Sequence, residues 1–258
     1  MELKGKKIIV TGSARGMGAA TVRAYVAAGA DVIGMDVMDD AGSAAAADAH
    51  AAGPGTADYL HVDIADSRSV EGAFAEAVKR LGALHVLAHP AAIQRSSSAS
   101  DVSVEDWDLM FAVNVRGTML TNQTAYRYIR EAGGGSIINF GSISGQRPEV
   151  SAAAYSAAKG AVHAWTRTAA GTWGADNIRV NAILPAMATP MYRDALARAT
   201  DAQKTASFWV NHNPIAMGQQ YGDPDRDLGP VMVFLASDAS RFITGQLIPV
   251  DGGQTNVR

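Results

Sequence analysis

The sequence predicts an α/β fold in which helices cover both faces of a parallel sheet. Short runs of mostly apolar residues alternate with longer Ala-rich stretches along nearly the whole chain, and Gly, Pro and Ser fall between them. Apolar strands separated by helices are typical of a parallel sheet buried on both sides. The predicted strands are residues 7–10, 31–35, 56–62, 84–88, 136–140, 179–184 and 247–250. The predicted helices are residues 18–28, 41–52, 67–81, 104–130, 152–174 and 228–235.

The first strand runs directly into a glycine-rich turn at residues 11–18, whose glycines are spaced G-x-x-x-G-x-G. Gly12 would permit the tight turn, Gly16 the close approach of a pyrophosphate, and Gly18 close packing of the helix on the sheet. The N–H groups at the helix start would attract phosphates. Glycine triplets also mark ordinary turns, but this position between strand and helix favours a dinucleotide site.

The second strand ends at Asp36, 24 residues after Gly12. A carboxylate at this point can accept hydrogen bonds from the adenosine ribose, although a solvated side chain is the alternative. Arg15 could instead meet the 2′-phosphate of NADP. A carboxylate about 4 Å from that phosphate would cost on the order of 4 kcal/mol at an effective dielectric of about 20. The sequence therefore predicts NAD as the cofactor.

The helix predicted at residues 152–174 carries Tyr155 and Lys159, four residues apart and hence on one face. An unperturbed tyrosine has a pKa of about 10, and a nearby ammonium lowers it toward neutrality. Tyr155 could then exchange a proton with an alcohol or ketone. The same spacing also occurs in ordinary surface pairs, so neighbouring residues have to support this interpretation.

Two further polar residues fit such a site. Ser142 follows the strand at 136–140, at the sheet edge where open α/β folds bind ligands. It could hydrogen-bond a substrate oxygen or be only a turn residue. Asn114, an indifferent helix former inside the helix predicted at 104–130, could hold a water that relays protons to Lys159.

The segment from Met191 to about Gly222 breaks the strand–helix alternation. It has helical character and scattered large side chains, but no strand. Long insertions in compact domains are usually functional lids or disordered loops. We predict a substrate lid around residues 191–222.

Composition narrows the class of protein. The 258 residues are 48% hydrophobic and 18% charged, which fits a single globular domain over residues 1–258. A net charge of -3 predicts no nucleic-acid partner, and the lack of cysteine excludes disulfides and thiolate nucleophiles. The apolar run at 8–10 is too short for a signal peptide or membrane span, so we expect a cytoplasmic protein with no membrane partner.

Taken together, these residues resemble the short-chain dehydrogenase/reductase family. The matching segments occur in the family's order and cover nearly the whole chain, a combination that is specific where each motif alone is not. They are residues 11–18, 36, 61–64, 114–117, 141–145, 155–159, 179–186 and 250–253. The resemblance implies a doubly wound Rossmann fold with a central seven-stranded parallel sheet. It also implies a catalytic set of Asn114, Ser142, Tyr155 and Lys159, and a homotetramer in which the helices bearing Asn114 and Tyr155 pack against their symmetry mates.

The resemblance also implies most of the cofactor contacts. Asp63 and Ile64 would flank the adenine, Lys159 would bind the nicotinamide ribose, and residues 185–189 would wrap the nicotinamide. The cofactor-binding residues expected in all are Gly12, Ser13, Arg15, Gly16, Met17, Gly18, Asp36, Val37, Asp63, Ile64, His89, Ala91, Tyr155, Lys159, Pro185, Ala186, Met187 and Thr189.

The chain departs from the family at two places. Residues 89–92 read His-Pro-Ala-Ala where N-N-A-G is usual, and Ala186 stands where P-G is usual. His89 can replace an asparagine as donor and acceptor, but Pro90 has no N–H. These changes affect the wall of the cofactor site more than its chemistry. The six histidines lack metal-ligand spacing, so we predict no metal site and a structural hydrogen-bonding role for His89.

The substrate space is predicted to combine polar groups with large apolar ones, although each apolar member could equally be core or subunit interface. Its expected lining is Gln94, Ser142, Ser144, Tyr155, Met187, Tyr192, Phe208 and Trp209. This mixture favours a medium-sized, mostly apolar alcohol or ketone, cyclic molecules included. Arg95 and Arg147 could bind a carboxylate or simply be solvated.

Three functions follow from this pattern. The first is an NAD-dependent secondary-alcohol dehydrogenase. The second is an NADPH-dependent 3-oxoacyl ketoreductase, against which Asp36 argues. The third is a non-catalytic NAD(H)-sensing protein, against which the complete set of Ser142, Tyr155 and Lys159 argues.

Overall fold

A computed structural model describes residues 2–255, apart from the side chains of Met191, Ala195 and Trp209. Within this range seven strands form one sheet in the order β3-β2-β1-β4-β5-β6-β7, and every neighbouring pair is parallel. The strands are β1 Lys7–Thr11, β2 Asp31–Asp36, β3 Thr56–His61, β4 Val86–His89, β5 Gly135–Phe140, β6 Ile178–Pro185 and β7 Leu247–Val250. The predicted fold, a doubly wound parallel sheet of seven strands, is confirmed.

Helices connect the strands. In the described part of the chain the α-helices are α1 Gly16–Ala27, α2 Asp39–Ala52, α3 Ser67–Leu81, α4 Val104–Phe111, α5 Gly117–Glu131, α6 Ala153–Trp173, α7 Pro190–Arg198, α8 Asp201–Ser207 and α9 Gly229–Ala236. The sequence predicted one helix at 104–130, but the structure has two, joined by a π-helical turn at Ala112–Arg116. Such turns occur frequently at functional sites.

The core lies in two layers, one on each face of the sheet. Tyr25 of α1 and Met232 of α9 are fully buried on one face, and Phe74 of α3 and Ile129 of α5 on the other. Burying a side chain of this size contributes roughly 1.5–3 kcal/mol. The strand order reverses between β1 and β4, so a crevice opens at the carboxyl ends of these two strands.

Candidate active site

The glycine-rich turn lies in this crevice, between β1 and α1. Gly12 and Gly16 have φ of 62° and 57°, in the left-handed region that favours glycine. A Cβ on Gly12 would lie 2.7 Å from the Cα of Ala91, and one on Gly18 would lie 1.9 Å from the carbonyl oxygen of Gly12. Only glycine can keep this shape. The first N–H groups of α1, at Gly16 to Gly18, lack intrahelical partners and would be available to a ligand bound over the turn.

Asp36 is fixed beside the turn. Its carboxylate accepts hydrogen bonds from the backbone N–H groups of Ala14, Val37 and Met38 at 3.0, 2.8 and 3.1 Å. The hydroxyl of Tyr59 donates to the backbone oxygen of Asp36 at 2.6 Å. The negative charge therefore has one defined position at the end of β2, while Arg15 is exposed.

The residues predicted to flank the adenine follow β3. Asp63 is exposed, and its carboxylate accepts a hydrogen bond from the N–H of Ala65 at 2.9 Å. Ile64 is buried, and a Cβ on Gly117 would lie 2.9 Å from its Cδ1. Val37 is 56% exposed on the same edge, which leaves an apolar surface open to a ligand.

The loop after β6 returns to the glycine-rich turn. Ala186 and Met187 are buried, and the Ala186 N–H donates to the carbonyl of Val250 at 3.0 Å. The Thr189 hydroxyl caps α7 by accepting from the N–H of Tyr192, and a Cβ on Gly16 would lie 3.7 Å from Thr189. The segment from Pro185 to Thr189 thus closes the cleft opposite the turn.

His89 lies at the end of β4 and is 2% exposed. Its Nδ1 is 2.8 Å from the hydroxyl of Thr11 and 3.3 Å from that of Thr121, while its Nε2 has no hydrogen-bond partner among the residues that the structure describes. These contacts fit the structural hydrogen-bonding role expected of His89. Burial, and secondarily the charge of Lys159, lowers the pKa of His89 to about 3, so the imidazole is neutral.

This neutral imidazole gives a pH-dependent stability. Folding depresses the pKa of His89 from its unfolded value of about 6.5. The resulting stability is fully present above that unfolded pKa, and it is lost as the pH falls toward the pKa of His89 in the folded protein. Between pH 7 and pH 5 the free energy of unfolding should drop by roughly 2 kcal/mol more in the wild type than in a His89→Asn variant. Urea unfolding at both pH values measures the difference. Equal pH dependence in the two proteins would show that His89 charges freely in the fold.

Ser142, Tyr155 and Lys159 meet at the carboxyl end of β5. The hydroxyl of Ser142 hydrogen-bonds the phenol of Tyr155. The buried ammonium of Lys159 donates to the carbonyl of Phe140 at 2.7 Å and lies 5.5 Å from the centre of the Tyr155 ring. Burial lowers the pKa of Lys159 to about 8. The three side chains therefore form one cluster beside the crevice.

The predicted effect of Lys159 on the phenol needs correction. Burial raises the pKa of Tyr155 above its ordinary value, and the hydrogen bond with Ser142 opposes this rise. The reason is geometric, because the Phe140 carbonyl holds the Lys159 ammonium and the phenol lies in a desolvated position. A further positive charge beside the ring would lower the pKa of Tyr155.

Asn114 is buried in the π-helical turn. Its side-chain oxygen accepts from the N–H of Ile93 and its amide donates to the Ile93 carbonyl, both at 2.9 Å. The side chain therefore clamps the loop that follows β4. A water relay to Lys159 would have to use the backbone carbonyl of Asn114, which also accepts from the Thr118 hydroxyl at 2.7 Å.

Two of the predicted substrate residues, Ser144 and Tyr192, lie within defined structural contacts. Ser144 lies in the turn with Ser142 and donates its N–H to the Ser142 hydroxyl at 3.1 Å. Tyr192 of α7 belongs to an aromatic cluster with His212 and Tyr221. Its hydroxyl is 2.5 Å from Nε2 of His212, and its ring packs edge-on against Tyr221 at 4.8 Å.

The remaining candidates are more peripheral. Phe208 is partly exposed, with its ring parallel to that of His212 at 6.3 Å, and Gln94 is exposed. The side chain of Trp209 lies outside the described residues. Arg95 forms an ion pair with Asp106 at 3.7 Å, whereas Arg147 is half-buried in the loop after Ser144.

Sequence reasoning missed three side chains at this site. His212 and Tyr221 complete the aromatic cluster, and His163 accepts a hydrogen bond from the N–H of Ser142 at 3.3 Å. The available signal for His163 was its position on α6, four residues after Lys159 and on the same face. No sequence spacing links His212 or Tyr221 to Tyr192.

Comparison with known proteins decides the family. Residues 12–255 match the family model described as Enoyl-(Acyl carrier protein) reductase. A 3-alpha-(or 20-beta)-hydroxysteroid dehydrogenase of Mycobacterium tuberculosis is 36% identical to the chain, over 97% of the chain and 90% of that protein. The structure of a short-chain type dehydrogenase/reductase from Mycobacterium ulcerans superposes with a TM-score of 0.91 at 29% identity, covering 100% of this chain and 92% of that one. The chain belongs to the short-chain dehydrogenase/reductase family.

A further relative extends the comparison. The trans-4-hydroxycyclohexanecarboxylate dehydrogenase of Sinomonas cyclohexanicum is 34% identical, over 97% of the chain and 93% of that protein. This short-chain dehydrogenase/reductase is thus an oxidoreductase, and the dehydrogenases of its family use nicotinamide coenzymes.

The cleft of this short-chain dehydrogenase/reductase fits such a coenzyme. The cradle at Gly12 and Gly18 is one that a Cβ would fill, and the start of α1 offers N–H donors to a pyrophosphate. Residues 2–255 contain no cluster of three or more His, Asp or Glu side chains suited to a metal ion. Every helix in the same range is too short or too polar to cross a bilayer.

Proposed function

We propose that this short-chain dehydrogenase/reductase interconverts a medium-sized, mostly apolar secondary alcohol, cyclic ones included, and its ketone, with NAD(H) as coenzyme. The observation that supports this most is the cluster of Ser142, Tyr155 and Lys159 at the carboxyl end of β5, beside the glycine cradle. Relatives that act on hydroxyl groups of ring systems, among them the hydroxysteroid and hydroxycyclohexanecarboxylate dehydrogenases, support the substrate class.

Ser142, Tyr155 and Lys159 each have a separate role in the proposed proton transfer. A bound nicotinamide supplies the hydride acceptor or donor and, when oxidised, a positive charge that favours the phenolate. Ser142 binds the substrate oxygen through its hydroxyl. Tyr155 takes the alcohol proton on its phenolic oxygen as the C–H hydrogen leaves with its electron pair, and it returns that proton in ketone reduction. Lys159 stabilises the phenolate while its ammonium stays charged, which its pKa of about 8 permits at neutral pH.

Coenzyme and substrate class can be tested together. Cyclohexanol, trans-4-hydroxycyclohexanecarboxylate and a 3α-hydroxysteroid are each incubated with NAD⁺ or NADP⁺, cyclohexanone and a 3-oxoacyl thioester are each incubated with NADH or NADPH, and the reduced coenzyme is followed by absorbance. We expect turnover with NAD⁺ and a secondary alcohol. A large preference for NADPH with 3-oxoacyl substrates would favour a ketoreductase, and NADH binding with no turnover of any alcohol or ketone would favour a sensor.

The choice of NAD over NADP rests on Asp36. Asp36→Ala removes the carboxylate that three backbone N–H groups hold in place, so the 2′-phosphate of NADP⁺ meets less repulsion. The ratio of kcat/KM for NADP⁺ to that for NAD⁺ should rise at least about tenfold, which corresponds to about 1.4 kcal/mol. Asp40→Ala, which removes an exposed carboxylate from the first turn of α2, is the matched control. An unchanged ratio in Asp36→Ala would mean that this carboxylate does not face the ribose.

We also propose a homotetramer built on the helices that carry the site. An apolar groove between α4, α5 and α6 is lined by Leu109, Phe111, Met119 and Trp165 among others. Beside it, Trp107 is 39% exposed and stacks on Phe111 at 4.7 Å. A groove of this kind is suited to the same helices of a second copy. Light scattering should give the mass of four chains, and a monomer would contradict the proposal.

A further inference from the structure

We propose that His163 is a positioning residue of the active site, which holds Ser142 in place through the backbone N–H of Ser142. This inference rests on the proposed function, in which Ser142 binds the substrate oxygen and hydrogen-bonds Tyr155. His163 lies on α6 two turns after Tyr155 and is 3% exposed.

The Ser142 N–H is the first backbone donor beyond the sheet. Gly141 donates the last hydrogen bond of this edge, to the Ile183 carbonyl at 2.8 Å. Ser142 itself is extended, with φ of -162° and ψ of 150°, and its N–H donates to Nε2 of His163 at 3.3 Å. Its hydroxyl and carbonyl accept from Ser144 and Gly145, both at 3.1 Å. The imidazole of His163 is thus the hydrogen-bond acceptor for the first N–H that no longer pairs within the sheet, and this N–H belongs to Ser142, which carries the catalytic hydroxyl.

The turn around Ser142 is fitted to the imidazole. A Cβ on Gly141 would lie 2.5 Å from Nε2 of His163, and a Cβ on Gly145 would lie 2.7 Å from its Cε1. Glycines on both sides therefore let the turn lie directly on the ring. Because α6 also carries Tyr155 and Lys159, a single helix positions the hydroxyl, the phenol and the ammonium relative to one another.

The protonation state suits this role. Nε2 can accept a hydrogen bond only if it carries no proton, so the imidazole must be neutral with its proton on Nδ1. Burial lowers the pKa of His163 to about 4, and the positive charges of Lys159 and Arg167 lower it in the same direction. The acceptor is therefore kept throughout the neutral range.

Displacement of Ser142 should affect the phenol as well as the substrate. The hydrogen bond between Ser142 and Tyr155 lowers the pKa of the phenol. Without the anchor at His163, that bond weakens and the pKa of Tyr155 rises. Alcohol oxidation, which needs the phenolate, would then require a higher pH.

The test compares three variants in complex with coenzyme and an alcohol that the wild type oxidises. His163→Leu removes the acceptor, and His163→Gln keeps an acceptor oxygen near the position of Nε2. His85→Leu is the matched control, because the Nδ1 of His85 accepts the backbone N–H of Lys7 at 2.9 Å at the opposite end of the sheet. We expect His163→Leu to lower kcat about 10- to 100-fold, as small misplacements of catalytic groups do, and to shift the rising limb of the kcat–pH profile to higher pH. His163→Gln should recover most of both effects, and His85→Leu should show neither.

A second measurement does not depend on turnover. Hydrogen exchange of the Ser142 amide should be faster in His163→Leu than in the wild type and close to the wild type in His163→Gln. Equal exchange in all three proteins, an unshifted pH profile in His163→Leu, or equal losses in the Leu and Gln variants would overturn the positioning role. A wild type that oxidises no alcohol would overturn the proposed function instead, and the exchange rates would still decide whether His163 anchors Ser142.

Discussion

Tyr155→Phe should lower the turnover of alcohol oxidation about 100- to 10,000-fold, the range that general acid–base groups contribute, while NADH binds nearly as before. The substitution removes one oxygen and keeps the ring, which packs in a desolvated position next to Lys159. Without the phenol, no side chain of the cluster is suited to take the alcohol proton, because Ser142 is a weak base and the Lys159 ammonium, which donates to the Phe140 carbonyl, is already protonated and has no free lone pair. The loss should therefore appear in kcat rather than in coenzyme affinity.

Two measurements separate this result from misfolding. NADH fluorescence titration measures coenzyme binding in the cleft, and steady-state kinetics with a saturating alcohol measures kcat. Tyr126→Phe is a suitable control, because it removes a phenol that donates to Asp176 at 2.8 Å, far from the sheet edge that carries the site. Turnover in Tyr155→Phe that equals the wild-type value would exclude the phenol as the proton-transfer group.

The strands and the site's position were accessible from the sequence because they depend on local patterns. Most strands of the sheet are short apolar runs bounded by turn residues, and the observed strands match the predicted runs to within two residues at each end. The glycine-rich turn was also readable, since positive φ at Gly12 and Gly16 leaves few alternatives to glycine.

What the sequence could not provide depends on contacts between distant segments. Nothing in the residues around His212 indicates that its ring meets Tyr192, twenty positions earlier in the chain. The π-helical turn at Ala112–Arg116 also involves a contact between distant segments. Asn114 in this turn accepts a hydrogen bond from the N–H of Ile93, which lies in the loop after β4.

The pKa of Tyr155 illustrates the same limit for electrostatics. The four-residue spacing correctly placed Lys159 beside the ring, but the direction of the pKa shift depends on how deeply the phenol is buried and where the ammonium points. Neither quantity can be read from spacing. An oxidised nicotinamide bound beside the ring would add a positive charge that opposes the effect of burial on the pKa of Tyr155.

Gly12→Ala should raise the dissociation constant of NADH at least about 100-fold, because the new Cβ clashes with fixed backbone and disturbs the phosphate-binding turn. A left-handed conformation costs a residue with a Cβ roughly 1–2 kcal/mol. In addition, the methyl group would lie 2.7 Å from both the Cα and the N of Ala91, so the loop after β4 or the turn itself must shift. Ala91 follows Pro90 and lies two residues from the buried His89, which limits how far that loop can move.

The variant Gly5→Ala is a control that separates the backbone strain of a left-handed residue from the clash of a Cβ with Ala91. Gly5 has φ of 80°, and a Cβ there would meet nothing within 4 Å. Both variants carry the backbone strain, which should cost each about 1–2 kcal/mol of stability in urea unfolding, and Gly12→Ala should lose more because of the clash with Ala91. Only Gly12→Ala should lose NADH affinity in a fluorescence titration. If both variants bound NADH as the wild type does, the close approach of Gly12 to Ala91 would have no part in shaping the coenzyme site. If both lost affinity equally, the effect would be one of stability, since Gly5 lies at the amino end of β1, away from the crevice at the carboxyl ends of β1 and β4.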